Sequence, residues 1–353
     1  MKGKILVINP GSTSTKIAMF DEGHRQWGVS IPHSPEELAK YPAVYDQLDM
    51  RYQLVVQAAR EQGETLDDLA AVVSRGGPFA PVKSGAYEVG EKMLYTMEHN
   101  PVDQHVSNTG AGIAWKIARP RGIKAYIYDS VTVDEMIPVA RVTGLPEMSR
   151  RGQGHNLNMR AAAIAVCEKL RLDYYAVNIL VAHLGGGITL SLHSRGRIVD
   201  MISDDEGPFS PERAGGLPGF QLVEACFSGQ YDKKGFFKHI QRNGGLIAYF
   251  GTADIRDVEA MIARGNERAK LVYEAMALCV AKNLAKLSVV TDGAIDRIVL
   301  TGGIAYSKNF TDMVEKRVKF IAPVEVLPGE NEMQALYEGA ARVLTGAEQA
   351  RQF

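Results

Sequence analysis

Two short polar turns in this chain carry the residue types needed to hold a phosphoryl group. Residues 9–16 read NPGSTSTK, in which a glycine turn exposes backbone N–H groups, Ser12 and Ser14 add hydroxyls, Asn9 an amide and Lys16 a positive charge. That set suits phosphate oxygens. The Walker A spacing G-x-x-x-x-G-K-[ST] is absent, and a β-hairpin with a polar tip is the other reading. In the second turn His183 and Leu184 lead into Gly185, Gly186 and Gly187. Three glycines let a backbone approach a ligand closely, or simply make a flexible turn. Gly302 and Gly303 form a third cluster. Three such clusters at strand ends can hold a nucleotide's phosphates and nucleoside around one cleft.

Phosphoryl transfer asks mainly for positioning and for charge on the transferring oxygens. Arg213 lies in GPFSPERAGGLP, residues 207–218, too rich in Pro and Gly for a helix, so it is expected on a stiff loop. Arg75 sits in a similar turn, SRGGP at residues 74–78. For either arginine the plain alternative is solvation. Asp129 follows a strand-like AYIY, at a strand's C-terminal end where α/β sheets meet their ligands; its alternative is an N-cap. Glu332 reads as a first-turn dipole partner or a magnesium-site carboxylate. His155 and His183 are the histidines nearest glycine-rich sequence, and neither has the H-x₃-H spacing of a zinc site. No G-x-S-x-G or Cys-His pair suggests acyl-enzyme chemistry.

The elements that must position these residues alternate. Ile5-Leu6-Val7-Ile8 reads as a strand buried on both faces, turned by Asn9-Pro10-Gly11 and returned over residues 12–20. The same design recurs at residues 179–182, with the turn at 183–187 and the return at 188–192, closing on Arg195-Gly196. Two such units suggest a duplicated architecture. Helical periodicity marks residues 53–61, 158–170 and 267–290, a buried strand runs over 297–301 into the Gly302-Gly303 turn at a helix start, and a last helix covers 332–344 with Asn331 as N-cap. The alternation predicts an α/β protein of two packed lobes with a cleft. The boundary is placed near residue 148: residues 1–147 with 333–353 in one lobe and 148–332 in the other.

Composition narrows the class. A chain of 353 residues suits two domains. Lys plus Arg is 40 against 41 for Asp plus Glu, a net charge of −1, which offers no cationic surface for nucleic acid or anionic membrane. The N-terminal run from Met1 has no signal-peptide pattern, and no stretch reaches the roughly 18 apolar residues of a span, so a cytoplasmic location is expected. Cys167, Cys226 and Cys279 are scattered and read as reduced core residues.

Taken together, the sequence resembles the acetokinase family of the acetate and sugar kinase, Hsp70 and actin superfamily, most closely its butanoate-acting branch. The segments that carry the likeness are NPGSTSTK from 9, RGGPFAPVKSGAYEV from 75, HLGGGIT from 183, GPFSPERAGGLP from 207, GTADIRDVE from 251, VLTGGIAYS from 299 and PGENEMQAL from 328. They run in family order over nearly the whole chain. The resemblance implies a two-lobed actin-like ATPase fold of ribonuclease H type with a duplicated mixed-sheet core, ATP/ADP and Mg²⁺ as cofactors, a short-chain carboxylate as substrate, and a homodimer or higher homo-oligomer. It implies that Asn9, Ser12, Ser14 and Lys16 form the first phosphate loop and Gly185, Gly186 and Gly187 the second. It places Arg213 on the transferring group and the carboxylate, with Asp129 beside it as catalytic acid. His183 and His155 lie on the phosphate side, and Glu332, with Asn9, falls in the magnesium shell. Asp254, Ile255, Arg256, Gly302, Gly303 and Ile304 match adenosine-binding segments.

Four positions depart from the family. Val72 stands where acetate kinases carry an arginine, so that role passes to Arg75. Arg151 replaces a second histidine, and Gln153-Gly154 replace two apolar residues. The implied reaction is reversible transfer of the γ-phosphoryl of ATP to butanoate or a close relative, with lobe closure excluding water. Acetate or propionate kinases of the same family, a sugar or polyol kinase, and a non-enzymatic ATP clamp are the rivals. Asn9, where a sugar kinase would place an Asp, argues against the sugar kinase.

Overall fold

The apolar run that opens the chain becomes the first strand of a mixed sheet in the computed structural model, which describes residues 3–353. Met1 and Lys2, the start of the N-terminal run, lie outside the described residues. Strand β1 (Lys4–Pro10) turns back at Gly11, whose N–H donates to Ser14 O at 2.7 Å, into β2 (Ser14–Asp21), followed by β3 (His24–Pro32). With β4 (Leu69–Arg75), β5 (Ala86–Glu88) and β6 (Lys124–Tyr128) the sheet order is β3-β2-β1-β4-β6-β5. β1, β4 and β6 run parallel, while β2 and β3 form an antiparallel flank. Ile5, Leu6, Val7 and Ile8 are wholly buried, as a strand covered on both faces requires.

A second sheet repeats this plan. It holds β7 (Asn178–Leu184), β8 (Ile188–Ser194), β9 (Arg197–Ile202), β10 (Arg297–Gly302) and β11 (Val324–Pro328), in the order β11-β10-β7-β8-β9. An antiparallel triple is again followed by parallel strands, so the duplicated mixed-sheet core read from the two strand-turn-strand units is present. The helices fall on or around their expected positions: Leu48–Glu61, Asn156–Leu170, Glu267–Ser288 and Glu332–Leu344. Asn331 differs from expectation, because its side chain makes no capping bond and its carbonyl instead accepts from Ala335 N. At Gly302-Gly303 the backbone passes through φ +92° into a short 3₁₀ turn, Gly303–Tyr306, rather than directly into an α-helix.

The chain forms two compact units. One holds residues 3–134 with Asn331–Phe353, the other Glu135–Glu330. Residues 135–147, assigned from sequence to the first lobe, sit in the second unit. Glu135 accepts from Ile198 N at 3.0 Å and Ile137 N donates to Val199 O at 2.8 Å, which ties this segment to β9. In the first unit the C-terminal helix Glu332–Leu344 completes the fold: Tyr337 stacks on Phe20 with ring centroids 4.5 Å apart, and Gly339 lies flat against the Tyr128 ring. In the second, helix Glu267–Ser288 buries Val272, Met276, Val280 and Leu284 against the sheet. The cysteines are free, but Cys226 is exposed and Cys279 only half-buried, so Cys167 alone matches the core reading; burial pushes its thiol up to about 11.

Candidate functional site

In the first unit, three adjacent parallel strands bring Asn9, Arg75 and Asp129 to their C-terminal edge, the side where open α/β sheets bind ligands. Arg75 is the last residue of β4 rather than part of a free turn. Glu332, the first residue of the C-terminal helix, joins two of them. Its carboxylate accepts from Asn9 Nδ2 at 2.6 Å and pairs with Arg75 Nη1 at 2.8 Å. Asp129 caps no helix. It is buried, it adopts φ +41°, a conformation non-glycine residues occupy at a cost, and its Oδ1 accepts from Gly85 N at 2.7 Å. Residues 84–86 are pinned from the C-terminal tail: Arg351 Nη1 donates to Ser84 O, and Glu348 Oε1 accepts from Ala86 N at 3.2 Å.

The first turn presents its polar groups outward. Ser12 and Thr13 are exposed, Ser14 is half-buried, and Lys16 faces solvent from β2, opposite Asn9 in register. Beneath the turn lies a residue that the sequence reading passed over. Arg51, with no exposed surface, donates to Gly11 O at 3.1 Å and Thr15 Oγ1 at 2.8 Å. A signal was available: Arg51 shares a helix face with Val55, Ala58 and Ala59, at offsets of four, seven and eight residues.

In the second unit His183, the penultimate residue of β7, lies beside Thr301 of β10. Its ring stacks on His155, with centroids 3.8 Å apart and planes within 8°. His155 Nδ1 is 2.9 Å from Thr189 Oγ1. Asn158 Nδ2 lies 2.9 Å from His183 Nδ1 and 3.3 Å from Thr301 Oγ1, whose hydroxyl donates onward to Gly329 O. This order makes His183 Nδ1 an acceptor and puts the ring's proton on Nε2, which lies 3.0 Å from Glu330 Oε1 without hydrogen-bond alignment. Asn158 and Glu330 were not foreseen, since nothing in their local sequence marks them.

The glycine turn is packed against charged side chains. A Cβ on Gly185 would meet His183 Nε2 at 2.9 Å, one on Gly186 would meet Glu212 Oε1 at 2.7 Å, and one on Gly187 would meet Arg213 Nη1 at 2.5 Å. Each glycine thus leaves the space that one of these groups occupies. Ser210, wholly buried, donates to Gly186 O at 2.6 Å and accepts from Arg213 N at 3.2 Å, joining the turn to the arginine loop. That loop is non-helical, as its composition requires, and Arg213 forms an ion pair with Asp204. Gly154 likewise backs onto Met201 and Thr189, at 2.7 and 3.2 Å from an added Cβ, so a larger side chain has no room there without a shift of Met201.

Asp254 caps the helix Ile255–Ala263 through Arg256 N, and its carboxylate also takes the Arg256 guanidinium, which holds it down at about 2. Ile304 is buried in the core, whereas Gly303 faces open space. Among the described residues no group of three or more His, Cys, Asp or Glu side chains is placed to hold a metal, and no helix is long and apolar enough to cross a membrane.

Comparison with known proteins shows the family. The model of the acetokinase family matches residues 150–341. The chain is 43% identical over 355 residues to butyrate kinase 2 of Clostridium acetobutylicum, covering 100% of both. Among solved structures it is similar to the acetate kinase of Porphyromonas gingivalis, with a TM-score of 0.81 at 19% identity over 97% of this chain and 100% of that one. A propionate kinase from Francisella tularensis gives 0.75 at 16% identity over 96% and 98%.

Proposed function

The chain belongs to the acetokinase family, and from that premise we propose that it transfers the γ-phosphoryl group of ATP to the carboxylate of butanoate, reversibly, giving butanoyl phosphate and ADP. The observation that carries this reading is the 43% identity to a butyrate kinase over the full length of both chains. A short fatty acid has a pKa near the ~4.3 of a Glu side chain, so it is ionised at neutral pH and needs no strong base. A carboxylate oxygen attacks the γ-phosphorus, the bond to the β,γ-bridging oxygen breaks, and ADP leaves with that electron pair.

The obstacle is the approach of an anion to a polyanion, which positive charge and N–H donors lower. We assign Asn9, Ser12, Ser14 and Lys16 to one set of phosphates and the turn Gly185, Gly186 and Gly187 to another. Arg213 and Arg75 are assigned to the carboxylate and the moving phosphoryl group, His183 and His155 to the phosphate side, and Asp129 to the acid role. Asp254, Ile255, Arg256, Gly302, Gly303 and Ile304 are assigned to the adenosine. The arginines are held on Asp204 and Glu332, and each must release its carboxylate partner to take an anionic ligand. For Mg²⁺ the chain offers one carboxylate, Glu332, with the Asn9 amide beside it. That fits an ion held largely through substrate phosphates; when bound, it neutralises phosphate charge.

A cytoplasmic location, where ATP is supplied, belongs to this reading, as does self-association. On helix Gly219–Phe227, Phe220, Val223 and Phe227 are exposed along one face, which suits pairing with a second copy.

A hydroxylamine trap for acyl phosphate, run with ATP, magnesium and acetate, propionate, butyrate, isobutyrate and valerate, tests the reading. The expected result is greatest product with butyrate or isobutyrate, and a loss of about 10²–10³-fold in Arg213→Ala. A peak at acetate would favour the acetate kinase of the same family. No acyl phosphate with any acid, from protein that still binds ATP, would remove the reading.

A further inference from the structure

Arg51, on helix Leu48–Glu61, lies outside every segment to which the proposed function assigns a role. All three of its nitrogens donate. Nε and Nη2 reach Gln47 Oε1 at 3.1 and 2.9 Å, Nη1 reaches Gly11 O at 3.1 Å and Thr15 Oγ1 at 2.8 Å, and Nη2 also reaches Ser12 O at 3.4 Å. Every acceptor is uncharged, and among the described residues no carboxylate pairs with this guanidinium. Burying a cation without a counter-charge is expensive. Burial lowers its pKa to about 10, so it remains charged at neutral pH.

Arginine only donates, so Thr15 Oγ1 accepts from Arg51, and the same hydroxyl is hydrogen-bonded to His33 Nε2, 2.9 Å away. His33 is kept neutral by burial and by the Arg51 charge. Its backbone N–H donates to Thr13 O at 2.9 Å. The carbonyls of Gly11, Ser12 and Thr13 are therefore all tied to Arg51 and His33. Ser12 and Thr13 are exposed, and their own N–H groups meet no acceptor among the described residues. A turn with carbonyls tied to its buried side and N–H groups left open is an anion nest.

We propose that Arg51 is a positioning residue for nucleotide phosphate: it fixes the carbonyls of the first turn on the buried side, so that the N–H groups of Ser12 and Thr13 are preset for phosphate oxygens, and its unbalanced charge is matched by that phosphate. The proposal deepens the function above and rests on its placing nucleotide phosphate at this turn.

Arg51→Met and Arg51→Lys test it through steady-state kinetics, ADP calorimetry and amide exchange of Gly11, whose N–H is held by Ser14 O across the turn, in the ligand-free protein. For Arg51→Met we expect the KM for ATP and the Kd for ADP to rise at least about tenfold, turn exchange to quicken by a similar factor, and the KM for butanoate to stay within about twofold. Arg51→Lys restores charge without the planar fork, and should recover part of the ADP affinity but not the slow exchange. Nucleotide constants and turn exchange within about twofold of wild type in a folded Arg51→Met would overturn the proposal. So would a parallel rise of both KM values with a lowered melting temperature. If Arg51→Met does not fold, Thr15→Val removes the shared acceptor at nearly constant volume: weaker ADP binding with faster exchange supports the proposal, and no change in either overturns it. The wild-type acyl phosphate assay fails or succeeds separately, because calorimetry and exchange require no turnover.

Discussion

Arg213 stands at the meeting point of three constraints: Gly187 beneath it, Ser210 on its backbone N–H, and Asp204 on its guanidinium. The aspartate competes with any anionic ligand for the same donors. Asp204→Asn keeps the shape and removes the charge, so the KM for the carboxylate should fall by about threefold or more in a chain-length series; an unchanged or raised KM would mean that Asp204 positions the arginine rather than competing for it. Gly187→Ala puts a methyl where Nη1 lies. The guanidinium is the flexible party, so activity should drop by about tenfold or more while the melting temperature moves by only a few degrees.

Both sheets deliver their charged residues from the C-terminal ends of parallel strands, and this much was legible in the sequence. Four consecutive apolar residues ending in a polar glycine turn announce a buried strand and the loop at its end. Other elements gave no such signal. Helix Thr109–Ala118 is buried at eight of its ten positions, so no polar face alternates with its apolar one. Residues 135–147 lack either period and owe their place to the bonds that the Glu135 carboxylate and the Ile137 N–H make with β9. Arg51 and Asn158 matter through partners 36 and 25 residues away, Thr15 and His183, which a scan of local motifs does not join. At this scale the His33 bridge between β2 and β3 carries a pH dependence. Burial first, then the Arg51 charge, lowers His33 from 6.5 to about 4. A group depressed in the fold is protonated more readily in the unfolded chain only above that folded value, so its stabilisation is whole above about pH 6.5 and is lost as pH falls toward about 4, on the order of 3 kcal/mol. His33→Gln should show a shallower fall in melting temperature between pH 6.5 and 5 than wild type, carboxylates being common to both.

The whole molecule is one design used twice, and the two copies close differently. The second unit is continuous, while the first is completed by Asn331–Phe353. That return supplies Glu332 to Asn9 and Arg75, the Tyr337 ring to Phe20, and Arg351 and Glu348 to the segment that holds Asp129. A variant ending at residue 330 should therefore keep the second unit's helices by circular dichroism, yet bind an apolar dye and form no acyl phosphate. The same return sets a timetable at the ribosome. Roughly 200 residues separate the two parts of the first unit, so at about 5–20 residues per second its sheet waits some 10–40 s for the helix that covers β1, β4 and β6. During synthesis the first half of this protein to be made is the last to be finished, and its apolar strands need shelter for that interval.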